Sequence, residues 1–221
     1  PYNILVKIPN KLSLLSSMQI GTAGFTAAIA IDKMLLNKQK INSGPILISG
    51  ATGGVGGIAI NILGNLGFEV IAATRKKNSN DYLKKIGSHK VMFLDNDFNK
   101  KFLNHKVFAG SIDNVGGNLL DWIIKSTHDN GNIVSVGMAS SYNLNTTIFP
   151  LIMRGVNILG VSSTNYPNSK RKFVWRKLSE AYKPKKLNII NKQSIELTDI
   201  KKYSKILLSG KNTGKVIIKN F

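Results

Sequence analysis

The stretch ILISGATGGVGGIAINILGNL, residues 46–66, decides the fold. It opens with an apolar run, Ile46–Ile48, of the kind expected for a strand that is buried on both faces. A glycine cluster follows at 50–57, and apolar residues then recur every four positions, as in Ile58 and Ile62, which is the spacing of one apolar helix face. A strand, a glycine turn and a helix in this order predict a phosphate site. Glycines let the backbone approach a pyrophosphate, and the unpaired N–H groups at a helix start attract anions.

The glycine motif by itself is weak. Residues 51–56 (ATGGVG) match the dinucleotide fingerprint G-x-G-x-x-G with alanine in place of the first glycine. A tight turn that binds nothing is the alternative, but the flanking strand and helix favour a nucleotide site. The candidate pyrophosphate-binding residues are Gly53, Gly54, Val55, Gly56 and Gly57.

Strands alternate with helices over the next hundred residues, which predicts an α/β fold with a doubly wound parallel sheet. The predicted strands are 46–48, 68–73, 90–94, 111–115, 132–137 and 156–161. Four helices are predicted in the same part of the chain. The first ends near residue 37, the second follows the glycine cluster, and the other two cover 81–86 and 118–127. The pattern changes afterwards to a basic amphipathic helix at 169–182, one or two strands within 187–197, a helix at 199–209 and a final strand at 214–219.

The end of the second predicted strand indicates which dinucleotide is bound. A fold that binds NAD usually carries Asp or Glu there to hold the ribose 2′-hydroxyl. This strand instead ends in Thr74, Arg75, Lys76 and Lys77, with no carboxylate before Asp81. The missing acid and the added bases favour NADP(H), although bases are common throughout the chain. Thr74, Arg75 and Lys76 are therefore candidate cofactor-binding residues, and Lys90 is a weaker candidate for the same phosphate.

The chain carries a formal charge of +20, from 31 basic and 11 acidic residues. A polyanionic partner is one interpretation, and a lysine- and asparagine-biased composition is the other. The second is favoured because the lysines fall in nearly every segment without aromatic interleaving, so nucleic-acid binding is not expected. Cysteine is absent and the three histidines are scattered, so no metal site is expected. No membrane span or signal peptide is recognisable, which favours a cytoplasmic protein.

Five motifs in order resemble the zinc-free medium-chain dehydrogenase/reductase superfamily, in the branch of acryloyl-CoA reductases and quinone oxidoreductases. They are GTAGFTA (21–27), SGATGGVG (49–56), DYLKKIG (81–87), SIDNVGG (111–117) and FPLIMRGVNILGV (149–161). The closing GKVIIKN is also similar to the end of those proteins. The resemblance covers essentially the whole chain.

The resemblance implies a Rossmann-type domain together with pieces of a GroES-like catalytic domain. Residues 1–22 would end the catalytic domain, 23–164 would form the NADP-binding domain, and 165–221 would return to complete the first. By this pattern the sequence starts about 100 residues late, and groups that orient the substrate are expected in the preceding segment.

The resemblance also implies chemistry. NADPH would deliver hydride to the β-carbon of an α,β-unsaturated acyl-CoA thioester, in a cytoplasmic homodimer. A quinone or alkene oxidoreductase and a non-catalytic NADPH-binding module are the alternatives. Relatives carry arginine at the position of Lys76, so Arg75 is displaced by one here. Relatives also often have a carboxylate where this chain has Ser162.

Four further residues are carried over by position to the cofactor cleft: Thr26, Gly137, Met138 and Asn212. A capping or packing role is equally open for Thr26, Met138 and Asn212. No catalytic acid can be named. Asp113 lies on a predicted strand, and a packing or turn role for it is favoured.

Overall fold

The computed structural model describes residues 5–95 and 101–219. Residues 1–4 of the predicted segment 1–22, and residues 220 and 221 of the predicted return segment, therefore lie outside the described residues. The helices are α1 (Leu14–Leu36), α2 (Gly54–Asn65), α3 (Asn80–Ile86), α4 (Gly117–Lys125), α5 (Phe149–Arg154), α6 (Asn168–Ser179), α7 (Leu187–Ile190) and α8 (Ile200–Leu208). The strands are β1 (Ile46–Ile48), β2 (Val70–Thr74), β3 (Lys90–Phe93), β4 (Phe108–Asp113), β5 (Thr127–Ser135), β6 (Asn157–Gly160), β7 (Gln193–Glu196) and β8 (Val216–Lys219).

The central sheet is parallel throughout, with the strand order β3-β2-β1-β4-β5-β6. Side chains alternate between its two faces. Ile46 and Ile48 belong to the core under α1, α2 and α3, whereas Leu47 belongs to a second core under α4. The predicted doubly wound α/β fold is confirmed, and its continuous apolar strands are explained by burial on both faces.

Helix α1 is long and apolar enough to cross a membrane, but 61% of its most apolar window is buried inside the protein. It packs on α2 and α6, where the Phe25 ring lies 6.2 Å from that of Trp175. The helix is broken at Gly21, whose φ of +49° is a left-handed conformation that favours glycine. The break falls one residue before the predicted domain boundary at 22/23, and the division into domains stays a prediction.

Three of the differences from the sequence-based expectations have a local explanation. The segment 187–197 holds the short helix α7 before strand β7, because Leu187 and Ile190 are three residues apart and both are buried on one helix face. Strand β4 ends at Asp113 rather than at residue 115, since the N–H groups of Val115 and Gly116 turn back onto the Asp113 carboxylate. Helix α1 begins at Leu14, earlier than the glycine motif at 21–27 indicated.

Asn61 joins the middle of α2 to two distant parts of the chain. Its amide nitrogen donates to Ile86 O at 2.8 Å. Its side-chain oxygen accepts hydrogen bonds from the N–H groups of Lys185 at 2.8 Å and Lys186 at 3.3 Å. These bonds satisfy a polar side chain that is 2% exposed and anchor the segment after α6 on the nucleotide helix.

Candidate nucleotide-binding site

A cleft runs along the edge of the sheet where the parallel strands end. Two adjoining cavities form it, with volumes of about 530 and 610 Å³. The cleft lies where the strand order reverses between β1 and β4, which is the place where open parallel sheets bind ligands. Both cavities are lined by Gly50, Thr52, Lys76, Val115 and Ala139.

The glycine loop brings the start of α2 close to the end of β1. Gly50 has a φ of +56°, and its carbonyl accepts the N–H of Gly53 at 2.9 Å. A Cβ at Gly56 would lie 2.5 Å from Gly50 O and 2.9 Å from the Cα of Ala51. Because these neighbours are backbone atoms that cannot move aside, only glycine fits at position 56 in this geometry.

The N–H groups at the start of α2 are placed to receive an anion. The first bond from the loop into the helix runs from Gly57 N to Gly53 O at 2.9 Å, so the N–H groups of Gly54, Val55 and Gly56 lie ahead of it. Gly57 differs from these three neighbours, and a contact of its N–H with the pyrophosphate stays a prediction. Its N–H is used within the helix, and a Cβ there would lie 3.2 Å from the Tyr82 hydroxyl, which makes it a packing position.

The end of β2 forms the basic part of the cleft. The buried Thr74 hydroxyl accepts the N–H of Lys76 at 3.1 Å, and Arg75 is exposed. The Lys76 ammonium donates to the carbonyl of Asn212, which joins this loop to the segment before β8. Partial burial lowers the pKa of Lys76 from its ordinary value. Thr74, Arg75 and Lys76 all line the smaller cavity, as the sequence predicted for one site.

Lys90 does not line either of the two cavities. It begins β3 and pairs with Ile71, whereas Phe93, at the other end of β3, pairs with Thr74. Three residues of extended strand separate Lys90 from the carboxyl edge of the sheet, a distance of about 10 Å. The sequence places Lys90 next to the third strand, but it does not show that Lys90 lies at the start of β3, away from the carboxyl edge.

The larger cavity contains the four residues carried over by position, and one of them, Asn212, also contacts Lys76 of the basic part. Thr26, Gly137, Met138 and Asn212 all line the larger cavity. The Thr26 hydroxyl donates to Thr22 O at 2.7 Å, and the Asn212 amide donates to Gly214 O at 2.8 Å, so both side chains also have structural bonds. The Met138 side chain is 70% exposed, as expected for a residue at the rim.

Asp113 holds the end of β4 rather than facing the cleft. It is fully buried, and its carboxylate accepts bonds from the Ser49 hydroxyl at 2.5 Å and from Gly116 N–H at 2.8 Å. Burial raises its pKa, and these hydrogen bonds oppose the rise. Ser49 Oγ also accepts Asn114 N–H at 2.8 Å, so the network fixes the turn that reaches the cleft. The geometry fits the packing and turn role favoured from the sequence.

Several lining residues were not among the predicted site residues. Asn114 and Val115 follow β4, and a run of polar residues follows β5: Ser140, Ser141, Asn143 and Asn145. The motif SIDNVGG carried the signal for the first group, because its strand lies beside β1 in a doubly wound sheet. The second group lies in an irregular segment, where no periodicity marks a site.

The segment before β8 closes the cleft beside the glycine loop. Gly214 N–H donates to Thr52 O at 2.8 Å. The Lys215 ammonium donates to Gln19 O at 2.5 Å and to Ile20 O at 2.9 Å, immediately before the break in α1. Burial lowers the pKa of Lys215 to about 8. Lys215 therefore satisfies carbonyl groups that the interrupted helix leaves without helical partners.

Comparisons with known proteins show the family of the chain. A family model described as zinc-binding dehydrogenase matches residues 54–180. The chain is 34% identical over 221 residues to YhfP of Bacillus subtilis, which is named as a quinone oxidoreductase. This match covers 99% of the present chain and 67% of YhfP. The chain is 32% identical over 216 residues to the acrylyl-CoA reductase AcuI of Ruegeria pomeroyi, covering 97% of this chain and 65% of that one. The chain thus spans about two thirds of the length of these relatives.

Solved structures with bound nucleotide have the same fold. The structure of YhdH from Escherichia coli K-12 with bound NADPH matches with a TM-score of 0.92 at 29% identity, covering 97% of this chain and 66% of that one. The YhfP structure, which has NAD bound, also matches with a TM-score of 0.92, covering 97% of this chain and 66% of that one.

A zinc site does not fit the described residues. None of them form a group of three or more histidine, cysteine, aspartate or glutamate side chains able to hold a metal ion. Cysteine is absent from the whole sequence. No chemistry of the cleft is therefore assigned to zinc. A dinucleotide fits better, since the glycine cradle leaves no room for a Cβ at Gly56 and the loop after β2 is basic.

Proposed function

The chain belongs to the zinc-binding dehydrogenase family of the medium-chain dehydrogenase/reductase superfamily, and on that premise we propose that it is the cofactor-binding part of an NADP(H)-dependent oxidoreductase. One observation carries the preference for NADP(H). Arg75 and Lys76 follow β2 and line the same cavity, at the position where a carboxylate would hold the ribose of NAD.

The chain's own residues have distinct tasks in this proposal. The N–H groups of Gly54, Val55 and Gly56 bind the pyrophosphate. Arg75 and Lys76 pair with the 2′-phosphate, where the planar guanidinium is able to form two parallel bonds. Thr26 and Gly137 border the nicotinamide end of the cleft. The bound cofactor supplies the hydride.

The substrate that we propose is an α,β-unsaturated acyl-CoA thioester, which is reduced at its β-carbon as acryloyl-CoA is to propanoyl-CoA. The similarity to AcuI supports it, and the charge of +20 would favour a substrate that carries phosphates. A quinone or alkene substrate is the second candidate, supported by the similarity to YhfP. Competition by free CoA separates them, because a quinone site has no reason to bind CoA.

We also propose a cytoplasmic homodimer. Strand β6 is the last strand of the sheet and has β5 as its neighbour on one side. The neighbouring helix α5 exposes apolar side chains, with Ile152 71% and Met153 60% exposed. An open strand edge beside an apolar helix suits pairing with a second copy. Light scattering on the purified protein would measure the mass, and a monomeric mass at micromolar concentration would contradict this proposal.

Fluorescence titration with NADPH and with NADH tests the cofactor assignment. We expect NADPH to bind at least tenfold more tightly, and Arg75→Ala/Lys76→Ala to lose that preference. Lys90→Ala is the control and should keep it, because Lys90 lies at the other end of β3. Binding of neither nucleotide to a folded sample would overturn the proposal.

A further inference from the structure

A second basic cavity adjoins the cofactor cleft on the far side of Lys76. It has a volume of about 470 Å³, and four lysines line it: Lys76, Lys77, Lys192 and Lys211. We call it the four-lysine pocket. Its other lining residues are Asn78, Ser79, Tyr82, Gly210 and Thr213, so no carboxylate within 5–95 and 101–219 lines it. It joins the cleft through Lys76 and Gly210, which line both cavities.

The four lysines come from three separate segments. Lys76 and Lys77 follow β2, Lys192 lies between α7 and β7, and Lys211 lies between α8 and β8. A lysine-rich composition alone would scatter such residues over the surface. Here the fold brings them together around one cavity instead, with Thr213 as an added hydroxyl donor.

No ion pair within the described part of the chain neutralises the positive charge of the pocket. The ion pairs among the described residues join Lys11 to Glu180, Lys106 to Asp129, Lys125 to Asp121 and Lys177 to Asp32, and none uses a lysine of the pocket. Four ammonium groups around one cavity repel one another, and an anion among them relieves that repulsion.

Two of the lysines are held in place at the walls. The Lys192 ammonium lies 4.7 Å from the centroid of the Tyr82 ring, a cation–π contact with a side chain that is 94% buried, since its exposure is 6%. The Lys76 ammonium bonds to Asn212 O across the junction between the pocket and the cleft. Partial burial lowers the pKa of Lys76, as expected for a cation that has no anionic partner.

We propose that the four-lysine pocket binds a phosphomonoester group, with Lys192 and Lys211 of the return segment facing Lys76 and Lys77. This inference rests on the proposed function, which supplies two ligands that carry such a phosphate group. One is the 2′-phosphate of NADPH, reached around Lys76. The other is the 3′-phosphate of a CoA thioester that binds beside the cofactor. In both cases the return segment takes part in recognising the ligand.

The test uses the double variant Lys192→Gln/Lys211→Gln, whose side chains are exposed and leave the core intact. Lys201→Gln/Lys202→Gln is the matched control. It removes the same two charges from the return segment, on the exposed surface of α8 outside the pocket. Circular dichroism of all samples establishes that they are folded. Dissociation constants are measured for NADPH, NADH, CoA and 3′-dephospho-CoA.

If the pocket takes the 2′-phosphate, the pocket variant weakens NADPH at least fivefold and leaves NADH unchanged. If it takes the 3′-phosphate, CoA weakens at least fivefold and 3′-dephospho-CoA is unchanged. The control variant changes neither pair. Equal affinities of the pocket variant, the control and the wild type for all four ligands would overturn the inference. The proposed function would still stand in that case if the wild type binds NADPH more tightly than NADH.

Discussion

The Tyr182 hydroxyl donates a 2.7 Å hydrogen bond to Oδ1 of Asp32, and the bond joins the segment after α6 to the C-terminal part of α1. Lys177 donates to the same oxygen at 2.6 Å. Asp32 is 8% exposed and Tyr182 5%. Burial and the Asp32 carboxylate raise the pKa of Tyr182, so its proton stays in this bond at neutral pH. The buried Asp32 carboxylate thus accepts hydrogen bonds from two side chains of the return segment, Lys177 and Tyr182.

Tyr182→Phe should therefore lower the free energy of unfolding by about 2 kcal/mol, because a buried carboxylate loses one charge-assisted bond. Tyr82→Phe is the comparison. The Tyr82 hydroxyl is buried without a hydrogen-bond partner among the described residues, and its removal should leave the stability unchanged or raise it by up to about 1 kcal/mol. Urea unfolding measures both. Equal losses in the two variants would contradict the assignment.

Asp113→Ala should destabilise the protein by about 3 kcal/mol, because it leaves the Ser49 hydroxyl and the Gly116 N–H without their acceptor in a buried place. Asp113→Asn keeps one of the two acceptor oxygens, for Ser49 and Val115, but sets an amide N–H against the Gly116 N–H, and should cost about 2 kcal/mol. Denaturant titration gives the values. A catalytic acid would behave differently. Turnover by the full-length protein would then be lost in Asp113→Asn while its stability stayed near that of the wild type.

Gly56→Ala should cost about 2 kcal/mol or more and weaken nucleotide binding, since its Cβ would meet Gly50 O at 2.5 Å. Gly160→Ala is the matched control. No heavy atom lies within 4 Å of a Cβ at Gly160, so stability and binding should be unchanged. Thermal unfolding with and without NADPH measures both effects. Wild-type behaviour of Gly56→Ala would mean that the loop is wider than described here.

Lys215 should titrate near pH 8, because burial lowers its pKa to about that value from the ordinary 10.5. Between pH 8 and 10.5 the unfolded chain then holds the proton that the folded chain has released, so the free energy of unfolding rises with pH. We expect this slope in urea unfolding between pH 7.5 and 9.5. Lys215→Met should lack this part of the slope. An identical pH dependence in both proteins would place the lysine pKa near its ordinary value.

The local part of the site could be predicted from the sequence. The apolar run at 46–48, the glycines and the helical spacing after them all act over a few residues. The bases after β2 could be assigned for the same reason. Which residues meet across the chain could not. Gly57 looks like its neighbours in the sequence, but its N–H already closes a helical bond with Gly53.

Most features that could not be predicted from the sequence depend on where the strands end and on which distant segments pack together. Lys90 was placed near the phosphate by sequence order, although the parallel register puts it at the other end of β3. Helix α7 was interpreted as strand because Leu187 and Ile190 belong to a run too short for a clear period. Lys192 and Lys211 come together with Lys76 only through the packing of the return segment.

The side chain of Asn61 has a consequence for how the protein is made. Its oxygen accepts bonds from residues 124 and 125 positions further along the chain, while it sits in the middle of the helix that begins with the phosphate-binding N–H groups. A ribosome that adds roughly 5–20 residues per second needs on the order of ten seconds to cover that interval. During this time the side-chain oxygen of Asn61 lacks its two backbone donors, Lys185 and Lys186. The helix of the glycine loop therefore gains these two bonds only after the segment that follows α6 has been synthesised.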